Sequence, residues 1–153
     1  MKASMSIINR RQAVFCILST SLAFHIPKVT KASQEKVFSY IEDITSGQKP
    51  IDKKISLKLP KVAEDGNQVK ISFEVESPML DDNFVESVYI FADGQRTPKV
   101  ARFIFTPSMG ICSITTKMRL SRSQNVYLLA VFNDGRHAIS SSLVEVTNGG
   151  CEG

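Results

Sequence analysis

Cys151 is the residue whose type and position best suit chemistry, because it is third from the C-terminus in a segment that could not pack into a core. Three glycines, Gly149, Gly150 and Gly153, surround this thiol in residues 147–153, which we name the tail. Cysteine is usually buried, and an exposed thiol in an oxidising compartment is a liability unless its reactivity is used. A thiolate forms S–S bonds with other sulfur compounds. The sequence therefore predicts a mobile tail that presents a reactive thiol.

The tail is also long enough to carry its thiol into a cleft of another protein. An extended chain from Thr147 to Cys151 reaches roughly 13–17 Å. Glycine removes side-chain bulk and frees φ, so the glycines of the tail are predicted to form a flexible hinge. The alternative is an incidental thiol that pairs with another chain or with Cys112, and composition alone leaves both interpretations open.

Cys112 has a simpler interpretation, since it lies in the alternating stretch Ile111-Cys112-Ser113-Ile114. If Ile111 faces solvent, Cys112 faces the core, and a small residue buried in a strand is the expected result. A disulfide between Cys112 and Cys151 would require the tail to fold back over the domain, which we do not expect.

No other residues form a recognisable catalytic or metal site. His137 is the single histidine C-terminal to Ala32, and its position beside a turn predicts an exposed side chain. One histidine and two separated cysteines match no familiar metal-ligand spacing, and a nucleophile would lack a positioned base. The chain contains no phosphate-binding glycine loop, and Asp81-Asp82 is expected to be solvated surface. We therefore expect no metal, no cofactor and no autonomous enzyme.

The elements that must position the tail are mostly strands. Residues 34–45 have helical periodicity, with Ser33 as the N-cap and Gly47 and Pro50 ending the helix. Period-two alternation and turn residues then predict seven or eight strands, among them residues 55–59, 69–75, 85–92, 100–106, 111–120, 125–133 and a last strand ending near Val146. Glu64-Asp65-Gly66-Asn67 is typical of a turn. This pattern predicts an all-β fold: an immunoglobulin-like antiparallel β-sandwich over residues 33–146, with a short N-terminal helix and a flexible C-terminal tail.

The segment 1–32 is predicted to be an export signal. Arg10-Arg11 precedes an apolar run over residues 13–24 that is too short to span a bilayer, as in a twin-arginine signal peptide. The alternative is a general secretory signal that carries two arginines, and either signal would export the protein. Cleavage is expected after Ala32, with Ala23 as the second choice. This leader contains five basic and no acidic residues, so the remainder has 14 basic and 15 acidic residues, a net charge of −1. We expect a periplasmic protein with no affinity for nucleic acid or membranes.

Several stretches of the chain resemble the SoxY family of thiosulfate-oxidation carrier subunits. The resemblance is carried by Leu59-Pro60-Lys61-Val62-Ala63-Glu64-Asp65-Gly66, Val75-Glu76-Ser77-Pro78, Thr97-Pro98-Lys99-Val100-Ala101-Arg102-Phe103, Met118-Arg119-Leu120, and Val144-Glu145-Val146-Thr147 leading into Gly149-Gly150-Cys151. The twin-arginine leader is also common in this family.

The resemblance implies a carrier rather than a catalyst. Family members have an immunoglobulin-like fold, need no cofactor of their own and pair with a SoxZ-like β-sandwich subunit as a heterodimer. By this match Cys151 would hold thiosulfate and later sulfur intermediates through an S–S bond, and Gly149 and Gly150 would be the hinge. A haem-containing SoxAX would load the thiol, a manganese-dependent SoxB would hydrolyse off sulfate, and a sulfur dehydrogenase would oxidise the remaining sulfur.

Glu152 is one departure from the family tail, which usually ends Gly-Gly-Cys-Gly-Gly. A carboxylate beside the thiol disfavours the thiolate and adds bulk to the segment that must enter a pocket.

Two other functions stay open. One is an interaction module in which Cys151 forms an intermolecular disulfide, and the other is a thiol enzyme such as a sulfurtransferase, which would need a base that the sequence does not supply.

Overall fold

The computed structural model of the protein describes residues 29–149, and these form two β-sheets and one helix. The elements are α1 (Val29–Thr45), β1 (Ile55–Lys58), β2 (Val62–Asp65), β3 (Val69–Val75), β4 (Val85–Ala92), β5 (Lys99–Ile104), β6 (Cys112–Met118), β7 (Gln124–Phe132) and β8 (His137–Asn148), with 3₁₀ turns at Gly66–Gln68 and Pro107–Met109. The predicted leader lies almost entirely outside the described residues.

The two sheets pack face to face, which confirms the predicted all-β immunoglobulin-like sandwich. One sheet has the order β1-β3-β6 and the other has the order β2-β8-β7-β4-β5. β3 shows why the sequence folds this way, because Val69, Ile71, Phe73 and Val75 are buried while Lys70 and Glu74 are exposed. Each fully buried side chain of this size stabilises the fold by about 1.5–3 kcal/mol.

The helix covers the outer face of the five-stranded sheet. Val37 and Ile41 pack onto Tyr89, Phe91 and Leu129, which form a second apolar cluster. β4 is therefore buried on both faces from Ser87 to Ala92, and its sequence is apolar almost without interruption. The helix begins at Val29, earlier than the predicted cap at Ser33, and it ends at Thr45 before Gly47, whose φ of 70° is easily adopted only by glycine.

Two expectations about strand pairing are wrong in detail. β2 pairs with β8 in parallel, so the sandwich is not purely antiparallel. Glu64 and Asp65 belong to this strand rather than to a turn, because β8, at the other end of the sequence, lies beside them and supplies their partner strand. The turn begins only at Gly66, where the side chain of Asp65 accepts a hydrogen bond from the amide of Asn67 at 2.8 Å.

Candidate functional site

The tail leaves the sandwich at one end, which we name the tail end. β8 pairs with β7 from His137 to Val144 and then continues to Asn148 alongside β2. The last strand was predicted to end near Val146, so the observed strand extends further and includes Thr147 and Asn148 of the tail. β4 and β6 also end here, and β3, β5 and β7 begin here, as the antiparallel registers require.

The last residues of β8 are held by three hydrogen bonds to other segments. The amide of Glu145 donates to the carbonyl of Lys61 at 2.9 Å, and the amide of Val146 donates to Oγ of Ser123 at 2.9 Å. Asn148 Nδ2 donates to the carbonyl of Glu64 at 3.1 Å. The chain is therefore held by hydrogen bonds to neighbouring segments as far as Asn148.

Gly149 lies against the backbone of the loop between β6 and β7. A Cβ atom built on Gly149 would lie 2.2 Å from the carbonyl oxygen of Ser121, far inside van der Waals contact. Glycine is thus required here by a close approach between two backbones, in addition to the predicted hinge role, which stays a prediction. Gly150, Cys151 and Gly153 lie outside the described residues.

Next to this loop, a buried carboxylate connects the end of β4 to the beginning of β7. Asp93 accepts hydrogen bonds from the amide and Nδ2 of Asn125, both at 2.9 Å, and from the hydroxyl of Tyr127 at 3.3 Å. The amide of Gly94 donates to Oε1 of Gln124 at 2.8 Å. Burial, followed by the charge of Asp93, raises the pKa of Tyr127, so this hydroxyl stays protonated and remains a donor.

Ser121, Ser123 and Gln124 were not identified as site residues from the sequence. They lie in Ser121-Arg122-Ser123-Gln124, a polar segment with the composition of any surface turn. Their role depends on β8 and on the loop after β4, and no local signal indicates those contacts.

Cys112 is buried, as expected, and Ile111 beside it is exposed. Desolvation raises the pKa of the Cys112 thiol to about 12, so at neutral pH it is neither a nucleophile nor a metal ligand. Cys112 begins β6 and pairs with Val75, whereas β6 ends at Met118, just before the loop that contacts Gly149. The length of β6 separates Cys112 from this loop by about 20 Å, but the chain from Gly149 to Cys151 reaches only about 7 Å. With β8 intact, an intramolecular disulfide is excluded.

The expectation for His137 is wrong. Its side chain is 1% exposed, and its Nδ1 atom has no hydrogen-bond partner among the described residues. The segment after α1 passes over it, since the amide of Ile51 donates to the carbonyl of His137 at 2.7 Å. Burial lowers the pKa of His137, which therefore stays neutral. Within residues 29–149, no three His, Cys, Asp or Glu side chains cluster in a way that could hold a metal ion.

The chain matches the family model described as sulfur oxidation protein SoxY over residues 41–151. This chain belongs to the SoxY family. The match includes the tail through Cys151, the position identified from the sequence. No curated protein gives a significant sequence match.

Solved structures show the same fold. The sulfur carrier protein SoxY from Chlorobium limicola f thiosulfatophilum superposes with a TM-score of 0.59 at 24% identity, covering 74% of this chain and 98% of that one. Two variant forms of superoxide reductase (neelaredoxin) from Ignicoccus hospitalis superpose with TM-scores of 0.56, at 12% and 14% identity, covering 71% and 68% of this chain and 86% and 90% of theirs. At these identities the likeness concerns the fold alone.

No helix among residues 29–149 has both the length and the apolar character needed to cross a bilayer.

Proposed function

We propose that the chain is a periplasmic sulfur carrier, which holds thiosulfate-derived sulfur on Cys151 and presents it to sulfur-oxidising enzymes. The observation that carries this proposal is the family match, which runs to Cys151, three residues after a strand that is anchored as far as Asn148. The solved relative from Chlorobium is named a sulfur carrier protein, which agrees with this role.

In this proposal, the described residues form an anchored body and the residues after Gly149 form a short reactive extension. A carrier must keep its own fold while its thiol visits several active sites, and the two packed sheets provide a stable body. The one described thiol, Cys112, is buried and has a pKa of about 12, so it does not compete for sulfur. Side reactions within one chain are thereby suppressed.

The chemistry required of Cys151 is the formation of a disulfide-type bond. The thiol sulfur joins the outer sulfur of thiosulfate, and the reaction releases one proton and two electrons. A haem-containing SoxAX-type partner would accept the electrons. Hydrolysis by a SoxB-type enzyme would then release sulfate and leave a persulfide on Cys151, ready for further oxidation by a sulfur dehydrogenase-type partner. The carrier contributes reach and a defined origin for the tail, and a SoxZ-like subunit would complete the heterodimer.

Reconstitution tests the proposal directly. The purified chain is incubated with thiosulfate and the periplasmic fraction of its source organism, and its intact mass is measured. We expect a mass increase of one bound thiosulfate, lost on reduction, in the natural chain and in Cys112→Ala but not in Cys151→Ser. An adduct that persists in Cys151→Ser would contradict the proposal.

The second candidate is an interaction module whose terminal cysteine links two chains. The distance between Cys112 and Gly149 favours this alternative over an internal disulfide, because any disulfide of Cys151 must then involve another molecule. Non-reducing electrophoresis of the periplasmic protein separates the two candidates. A stoichiometric covalent dimer would support the module, whereas a monomer with a free or sulfur-loaded thiol supports the carrier.

A further inference from the structure

The loops of the tail end are joined into one continuous surface around Gly149. Gln95 Nε2 donates to the carbonyl of Arg119 at 2.6 Å, and Ser121 Oγ donates to the carbonyl of Gly94 at 3.3 Å. The amide of Leu120 donates to the carbonyl of Gly66 at 2.8 Å. Segments from both sheets therefore meet at the point where the tail leaves, and a protein that receives the tail must contact them.

This surface carries more exposed basic than acidic side chains. Five exposed cationic side chains occupy it, and we name them the basic rim: Lys70, Arg96, Lys117, Arg119 and Arg122. Three exposed carboxylates, Glu64, Asp65 and Glu145, lie at the same end, and none of them forms an ion pair among the described residues. Asp93 is buried and accepts hydrogen bonds from Asn125 and Tyr127. The exposed side chains of this end therefore carry an excess of positive charge. The one ion pair found within residues 29–149 joins Arg136 to Asp134, at the opposite end of the sandwich.

Two lysines of the basic rim lie opposite each other on neighbouring strands, where their repulsion destabilises the fold. Lys70 on β3 and Lys117 on β6 are directly opposite partners in the antiparallel register. Like charges directly opposite in a sheet are destabilising. Lys117 donates a hydrogen bond to Gln68 Oε1 at 2.7 Å, which replaces only part of its hydration. The pair of lysines does not stabilise the fold, but its positive charge would attract an anionic surface.

The opposite end of the sandwich, which we name the far end, has the reverse charge. Its exposed carboxylates include Asp52, Glu74, Glu76, Asp81, Asp82, Glu86 and Asp134, and the basic residues near them are fewer, Lys49, Lys53, Lys54 and Arg136. Because residues 33–153 have a net charge of only −1, this is a separation of charge along the long axis rather than an excess of either sign. Such a separation orients a protein as it approaches a charged partner.

We propose that the basic rim is a docking surface for partner proteins whose cleft entrance is lined with acidic side chains. The inference rests on the proposed carrier function, because a partner enzyme would bind this end of the sandwich to reach the sulfur carried by the tail. The field of the rim turns the tail end toward the partner and brings the residues after Gly149 to the cleft. A surface of this kind acts mainly on the association rate, which electrostatic steering raises by about 10- to 1,000-fold at low salt.

Charge reversal at matched positions tests the docking surface. Arg119→Glu/Arg122→Glu reverses two rim charges, and Lys53→Glu/Lys54→Glu makes the same change at the far end. In the structure, the hydrogen bonds of all four residues use backbone atoms, so neither double substitution breaks a side-chain hydrogen bond among the described residues. The binding probe is fluorescent poly-L-glutamate, and all variants carry Cys151→Ser, so that the result does not depend on sulfur loading.

We expect binding that weakens steeply with added NaCl, an affinity at least about tenfold lower after reversal of the rim charges, and a change below about twofold in the far-end control. Absence of binding, or equal losses in both double variants, would overturn the proposal. Equally strong binding to vesicles of anionic phospholipid would also overturn it, because the rim would then be a membrane surface. Failure of sulfur loading in the Cys151 assay concerns the carrier function alone.

Discussion

Replacing Gly149 by alanine should detach the end of β8 from the body of the protein. The added Cβ would lie 2.2 Å from the carbonyl oxygen of Ser121, so one of the two backbones must move by about 1 Å. The loop is braced by the bonds of Ser121 to Gly94 and of Leu120 to Gly66. The end of β8 is held less firmly, because the bond from Asn148 to Glu64 is exposed.

The decrease in the free energy of unfolding caused by Gly149→Ala is therefore limited to the hydrogen bonds lost at the end of β8. Breaking the bond from Asn148 to Glu64 costs about 1 kcal/mol. For a domain of this size, such a loss lowers Tm by about 2–5 °C. The more specific effect is local, since the amides of Glu145 and Val146, which donate to Lys61 and Ser123, should exchange their hydrogens faster.

Hydrogen exchange measured residue by residue is the assay, and Gly135→Ala is the control. Gly135 has a φ of 83° and open space around its Cα, so alanine there strains the β7–β8 turn and lowers Tm without touching the end of β8. Faster exchange at 145 and 146 in Gly149→Ala, and not in Gly135→Ala, supports the close approach. Unchanged exchange and unchanged Tm in Gly149→Ala would refute it.

Three further predictions concern buried groups. Asp93→Ala should lower the free energy of unfolding by about 2–4 kcal/mol, because the buried hydroxyl of Tyr127 and the amides of Asn125 lose their acceptor. Urea denaturation measures this loss, and a value below about 1 kcal/mol would be inconsistent with the prediction. In the folded protein, iodoacetamide should label Cys151 and leave Cys112 unmodified at neutral pH, because burial raises the pKa of Cys112 to about 12. Mass spectrometry counts the labels, and rapid labelling of both cysteines would contradict the burial of Cys112. Unfolded His137 takes up a proton near pH 6.5, but the folded residue does not, because burial lowers its pKa. The free energy of unfolding should therefore be unaffected by this residue above about pH 6.5 and should fall by up to about 1.4 kcal/mol per pH unit below it. His137→Leu should flatten this part of the stability curve, and an equal slope in both proteins would count against a buried neutral histidine.

The features that the sequence predicted correctly are those encoded locally. Alternation in residues 69–75 identified which side chains of β3 enter the core, and the same reasoning placed Cys112 inside and Ile111 outside. The strand predicted over residues 125–133 and the last strand pair with each other as β7 and β8, because they are adjacent in sequence and in space. In each case the residues that determine the structure lie within a few positions of each other.

The features that the sequence did not predict depend on distant partners. Glu64 and Asp65 have turn composition, and they become a strand only because β8 lies beside them in parallel. His137 is next to a turn, but the linker after α1 covers it through Ile51. The basic rim likewise combines Lys70, Arg96 and the stretch from Lys117 to Arg122, which are far apart in the chain, so no single stretch of sequence shows the cluster.

The central claim, that Cys151 is the carrier atom, can be tested on protein taken from cells growing on thiosulfate. Trypsin separates the two remaining cysteines, because Cys112 lies in the peptide of residues 103–117 and Cys151 in the peptide of residues 137–153. Mass spectrometry without reductant should find sulfur-containing adducts on residues 137–153, absent from cells grown without thiosulfate, and an unmodified 103–117 peptide. Adducts confined to residues 103–117, or a 137–153 peptide that never carries added sulfur, would contradict the account.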